Sequence, residues 1–394
     1  MRLSVLASLL VIVGIGLISC DGSGIAGSGT IDNPGKVVTD TFLVDQAFLQ
    51  DIQSFSGGRT YISAGAYNDE LFGDFTFTAI MKPSINRSNI EEIESSATAS
   101  IRLAIDNRYG NTTGAQQFDI VEVDRLWRSR SWRQDSIPSL SNRVLGSFTL
   151  TDEEEITVPI TDNEWIQEYR EIFILEGPRR DSLYANTFHG FAIVPTNAEQ
   201  VVSFPFNQIQ LKVDNNISGV DTVYTQPMAR WAYSIDHQPK TIEEDQKSFP
   251  VFNNFKNNFV MEIRLEDWLE GTGNISRAEL VVFEDTLSSQ TTLPDNHVRP
   301  RTPGMFIYLL TEAQTEISVT GQETFAAVRR NSDASWRFNI TNYARSQLGS
   351  FSDQRNFFMK IGRDDGRFFP YYIHNHLSED RAPKVIITRI IAED

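Results

Sequence analysis

Ile101-Arg102-Leu103-Ala104-Ile105 alternates apolar and polar positions, and so do Gln208-Ile209-Gln210-Leu211-Lys212-Val213 and Val260-Met261-Glu262-Ile263-Arg264-Leu265. Alternation with a period of two places every second side chain on one face, the pattern of a strand with one side buried. From Val37 onward the chain repeats such short runs, broken by Gly, Asn, Asp and Pro. Long helical stretches are missing. Two short helices are expected: one capped by Asp162 and running through Trp165 and Tyr169, the other capped by Thr341 or Asn342 and running from Tyr343 to Leu348. Many short strands with turn signals predict an all-β protein of sandwiches or barrels rather than βαβ units.

The landmarks recur. Ser96–Leu103 in the first half and Ile275–Val282 in the second read as the same strand. Ala99 lies 61 positions before Ile160, and Ala278 lies 62 before Ile340. Both segments reached, Val158-Pro159-Ile160-Thr161-Asp162 and Phe338-Asn339-Ile340-Thr341-Asn342, end a strand and enter a capped helix. An aromatic-led strand follows in each half, Phe188–Ile193 and Phe357–Ile361, and then a closing strand, Ile209–Val213 and Lys384–Ile390. Ala99 to Ile209 spans 110 positions and Ala278 to Val385 spans 107. The matched spacings predict a duplicated unit with a boundary near Asp214–Gly219. They give a first β-sandwich over 38–215 and a second over 216–394.

Before these lies a different kind of sequence. Arg2 precedes an apolar run from Val5 to Ile18, shorter than the roughly 20 residues a spanning helix needs. A charged start, an apolar centre and small residues at the end describe a secretory signal, residues 1–19. Leu17-Ile18-Ser19-Cys20 resembles the lipobox of bacterial lipoproteins. Cys20 is the only cysteine, so no disulfide can form within the chain, and acylation accounts for it. Residues 20–37, opening Asp21-Gly22-Ser23-Gly24, read as a flexible tether. The expected partner at this end is a membrane, held through lipid on Cys20.

The chain has 394 residues and a net charge of -17. That acidity argues against nucleic acid and against an anionic membrane surface as partners.

The second half resembles DNRLRE-type domains, jelly rolls related to carbohydrate-binding modules, on Ile275-Ser276-Arg277-Ala278-Glu279-Leu280, Phe338-Asn339-Ile340-Thr341 and Ser378–Val385. The first half resembles a Bacteroidetes-type lipoprotein family of unknown function, on Ala64–Gly73, Tyr109-Gly110 with Phe118–Val123, and His189–Ile193. These resemblances imply two tandem jelly-roll-like sandwiches and an outer-membrane location. Neither supplies a catalytic residue.

Sites of chemistry are sparse. There are five histidines, no Gly-x-Ser-x-Gly elbow, no HExxH, and no phosphate loop or dinucleotide fingerprint. Glu153-Glu154-Glu155 reads as a solvated turn. Asp364-Asp365-Gly366 reads as a turn using glycine at positive φ, with a calcium loop as the alternative. No metal and no cofactor is expected, and the chain reads as a non-enzyme. In Phe368–Leu377, extended alternation puts Phe369, Tyr371, Ile373 and Leu377 on a core face and Phe368, Tyr372, His374 and His376 on the other. Tyr372, His374 and His376 are therefore candidates for ligand contact, by ring stacking on sugar or by paired imidazoles on a metal; the alternative is a strand covered on both faces. Trp127 and Trp132, in Trp127–Arg133, are the second candidate cluster, as a loop touching a ligand or the other half. The expected function is binding of a polysaccharide or cell-surface polymer. The alternatives are a structural or assembly component docking onto another envelope protein, and a glycan hydrolase with an unrecognised carboxylate pair.

Overall fold

The computed structural model describes residues 35–391 apart from 52–53, 87–92, 244, 254–256, 265–273, 291–292, 311–323, 347–353 and 362–364. The expected signal, Cys20 and most of the tether lie outside the described residues. The protein is mostly β, in several antiparallel sheets.

The alternating runs of the sequence form the centre of the fold. Thr98–Ala104 lies between Glu155–Ile160 and Gln210–Ile217, with Ala99 opposite both Ile160 and Val213, and Ile101 opposite both Val158 and Leu211. In the second half Asn274–Phe283 lies between Ser335–Asn339 and Lys384–Ile391. Leu280 is opposite Phe338 and Val385 there, and Ala278 is opposite Ile387. The amide of Ile340 donates to the carbonyl of Ala278 at 2.9 Å. Ala99 and Ala278 are thus equivalent, as are Ile160 and Ile340, and all four are buried.

The likeness extends to both sheets of each half. On one side the strand order is Val220–Gln238, Gln210–Ile217, Thr98–Ala104, Glu155–Ile160. Its counterpart is Lys36–Leu43, Lys384–Ile391, Asn274–Phe283, Ser335–Asn339. On the other side Leu140–Leu150, Gln116–Val123, Phe191–Asn197, Gly73–Pro83 and the far end of Val220–Gln238 follow one another. They match Thr324–Val328, Gly304–Leu310, Gln354–Ile361, Asn257–Arg264 and Gln46–Asp51. Inward side chains from the two sheets share one core in each half. Phe77, Ile101, Phe118, Val158 and Leu211 belong to the first, and Met261, Leu280, Ile307, Phe338 and Val385 to the second.

The strand pairings cross the expected boundary at three places, the shortest joining His297–Val298 to Asn107–Asn111. Lys36–Leu43 and Gln46–Asp51 complete the two sheets of the second half. Val220–Gln238 completes both sheets of the first half, pairing with Gln210–Ile217 and then with Gly73–Pro83. The expected boundary segment is a tight hairpin. Ile217 faces Val220, and Ser218 and Gly219 both have positive φ, 54° and 86°, as a two-residue type I′ turn requires. Each half therefore takes one sheet-completing segment from the stretch of chain that precedes the other.

Two helices follow Ile160. The first, α1 (Asn163–Ile174), is capped as expected, with the amide of Trp165 donating to Asp162 Oδ1 at 2.9 Å. It buries Trp165, Ile166, Tyr169, Ile172 and Phe173. The second, α2 (Gly177–Asn186), was not expected; its one local signal is Pro178 in the first turn, where a missing N–H costs nothing. The expected helix after Ile340 spans Thr341–Ser346, and residues 347–353 lie outside the described residues.

Candidate functional site

The two halves differ most in length in the connection that follows Glu155–Ile160 and its counterpart Ser335–Asn339. Residues 340–353 make that connection in the second half, and residues 161–190 make it in the first. The additional chain includes α2, which has no fully buried residue and no side-chain cap at its start. A ten-residue helix with so little packing is marginal by itself. Loops added to a shared scaffold are where binding functions concentrate.

A cleft of about 490 Å³ opens between α1 and α2. Ile172 and Phe188 are buried in it, Leu175 and Leu183 are half-buried, and Glu168, Glu171 and Arg179 are exposed around it. Glu168 is tied to Arg143 at 2.8 Å, and Arg143 also holds Asp162 with two 2.8 Å bonds, fixing the start of α1.

Beneath α2 lies Lys82, 2% exposed. Its Nζ donates to the carbonyl of Tyr184 and stands 3.8 Å from the centre of that ring. Burial, with Arg230 adding repulsion, brings its pKa down to about 7. The Tyr184 hydroxyl donates to the carbonyl of Pro83 at 2.8 Å, fastening the helix to the same strand. His189 is held below the usual histidine range by burial and by Lys82, with Asp124 opposing, and its Nδ1 is buried without a hydrogen-bond partner. Lysine, histidine and cleft share Phe188 and the α2 lid. Nothing in the sequence marks Lys82: a lone lysine in an apolar strand reads as surface, and only the later helix encloses it.

The aromatic candidates take internal roles. Tyr372 is buried, not free to stack on a sugar: its ring lies 5.0 Å from that of Phe72 and its hydroxyl donates to the carbonyl of Leu71 at 3.1 Å. The strand Pro370–His374 pairs with Ser248–Phe252 and is covered on both faces. Tyr371 and Ile373 enter the second core, and Phe368 and Tyr372 enter the first. Leu377, expected in the core, is 41% exposed because the strand ends at His374. His374 Nδ1 is 2.9 Å from Ser378 Oγ, while His376 Nδ1 accepts from the amide of Ala47 at 3.0 Å. The two imidazoles serve different partners and do not form a pair. Among the described residues no group of three or more His, Cys, Asp or Glu is placed to hold a metal. The Asp365 carboxylate is occupied by Arg367 at 2.7 Å, and Gly366 has φ +100° with its α-carbon against the carbonyl of Tyr61.

Trp127 is buried and donates to the carbonyl of His189 at 2.9 Å, so it supports the backbone beside the Lys82 site. Trp132, half-buried, meets it edge-on at 6.0 Å and donates to Ser234 Oγ. Their loop clasps the segment leading out of Gln46–Asp51: Ser56 N donates to the carbonyl of Trp132 and Gln134 N to that of Ser54, each at 3.0 Å. The cluster thus holds two stretches of chain together.

No family model matches this chain, and no curated protein does. Among solved structures, that of the Macrobrachium rosenbergii nodavirus aligns with 93% of this chain and 99% of its own at 10% identity, with a TM-score of 0.14. At that score the likeness carries no argument about fold or function.

Proposed function

We propose that the protein is a non-catalytic, outer-membrane lipoprotein, anchored through Cys20, whose two jelly-roll-like sandwiches dock onto another envelope protein. Counting the segment contributed from outside as strand one, the corresponding strands of each half order as 1-8-3-6 and 1-2-7-4-5, the outside segment reaching both sheets, which supports the jelly-roll reading. The observation that carries the docking role is the character of the exposed apolar surface. Every large apolar side chain exposed among the described residues is aliphatic, Ile174 beside the cleft included, and none is Phe, Tyr or Trp. Stacking on a polysaccharide needs an accessible flat ring; an apolar cleft whose one ring, Phe188, is buried and whose rim is charged suits a protein segment. The test is capture from detergent-solubilised envelope with wild type and Ile174→Asp. A protein retained by wild type and lost by the variant is expected. A glycan-array signal unchanged in Ile174→Asp, without such a protein, would return the reading to polysaccharide.

A further inference from the structure

The outward faces of the two equivalent four-stranded sheets differ in charge. In the first half that face carries Arg102 and Lys212 against Asp214, Asp221 and Glu155, a net acidic surface. In the second half the registered rows are Leu43–Lys384–Val281–Arg337, Thr41–Ile386–Glu279–Asn339, Thr39–Thr388–Arg277 and Val37–Ile390–Asn274. Arg277, Arg337 and Lys384 stand there against Glu279, paired with Arg277 at 2.6 Å and Arg337 at 3.8 Å, and against Asp333 at its edge, paired with Arg337 at 3.3 Å, a net of one positive charge. In a chain of net charge -17, this face runs opposite to the whole.

The same face exposes aliphatic side chains. Val37 is 64% exposed, Leu43 62% and Ile390 47%, and Val37 sits directly opposite Ile390. Aliphatic groups interspersed with cations suit an anionic bilayer: apolar tips enter the headgroup region and lysine and arginine meet lipid phosphates. The strand Lys36–Leu43 is also where the proposed tether joins the fold. An anchor on Cys20 would therefore attach to the body at the edge of this face.

We propose that the outward face of Lys36–Leu43, Lys384–Ile391, Asn274–Phe283 and Ser335–Asn339 rests on an anionic lipid surface, so that the body lies against its membrane instead of standing off from it. The proposal extends the lipid-anchor reading, and it is tested without the lipid. The chain from residue 20 onward, with Cys20→Ser, contains every described strand and has no acyl group. It is sedimented with phosphatidylglycerol–phosphatidylcholine vesicles and with phosphatidylcholine vesicles. Binding to the anionic vesicles alone is expected, weakening as salt is raised. Val37→Asp, at an exposed position, combined with Lys384→Glu, at a half-buried one, should reduce it about tenfold, which is about 1.4 kcal/mol. Val223→Asp on the equivalent face of the first half should leave it unchanged. Absence of vesicle binding, an undiminished signal in the double variant, or binding to soluble polygalacturonate in place of vesicles overturns the proposal. Loss of acyl labelling in the cell, by contrast, bears on the anchor alone.

Discussion

Arg299, from the second half, donates through Nε and Nη2 to the two carboxylate oxygens of Asp69, from the first, at 2.8 and 2.7 Å. Their side chains are 4% and 0% exposed. The Tyr109 hydroxyl adds a 2.6 Å bond to Asp69 Oδ2, and the amides of Leu71 and Phe72 donate to Oδ1. Burial opposes the charge on Asp69, but these donors outweigh it and hold the carboxyl below its ordinary range. Removing one member of such a pair strands the other in the interior.

Asp69→Asn should therefore destabilise the protein by about 3–5 kcal/mol in urea unfolding. Arg299→Met should do the same, and the double variant should recover part of the loss. Because the folded pKa lies below the unfolded one, the contribution is complete above pH 3.8 and disappears as pH falls through the folded value. A pair of single variants whose effects simply add would show that the two groups are not coupled.

The pairing of the first described strand with the last gives a covalent test. Opposed antiparallel α-carbons lie about 4.5–5.5 Å apart, within disulfide range. Val37→Cys with Ile390→Cys, in a Cys20→Ser background, should close an intramolecular bridge that raises the unfolding temperature. A non-reducing gel showing only reduced monomer would remove the proposed register.

Ile160→Ala and Ile340→Ala probe the duplicated core. Each removes a buried aliphatic side chain at the end of an equivalent strand, at a cost of about 2–5 kcal/mol. The two belong to different hydrophobic cores. Their effects should add within about 0.5 kcal/mol, as read from denaturant midpoints of the double variant.

Lys82 makes stability depend on alkaline pH. Its pKa is about 7 when folded and near 10.5 otherwise, so between those values the unfolded chain holds the extra proton. Stability should rise with pH across that window, by about 2 kcal/mol between pH 7 and 9. Lys82→Met should flatten the rise. An identical slope in wild type and variant would show that Lys82 is not the titrating group.

Cys20→Ser should abolish acyl labelling and leave an uncut precursor or a soluble product. Normal labelling of that variant would exclude Cys20 as the lipid site.

Several features were legible because they are local. Period-two alternation at Ile101–Ile105 and Gln208–Val213 follows from the geometry of one extended strand, and the Asp162 cap needs only the three residues after it. The spacing of Ala99 to Ile160 and of Ala278 to Ile340 carried the repeat, because equal connections bring equal strands side by side. The covered strand at Tyr372 was legible only as one of two alternatives. Alternation shows that one face is buried but says nothing of the other, and here Phe72, some 300 positions away, lies on it.

By itself the sequence determined that this chain forms strands, that its central strands recur, and that a single cysteine follows an apolar run. Only the tertiary structure decided which strands close which sheets. Lys36 meets Ile391 across nearly the whole chain, while Val220–Gln238 turns back onto the first half. Edge pairing uses backbone groups common to all residues, so it leaves little mark on composition. The sorting of charge has the same origin. The total of -17 is a sum over residues, whereas the basic face around Lys384 exists because four strands distant in sequence are aligned in one sheet.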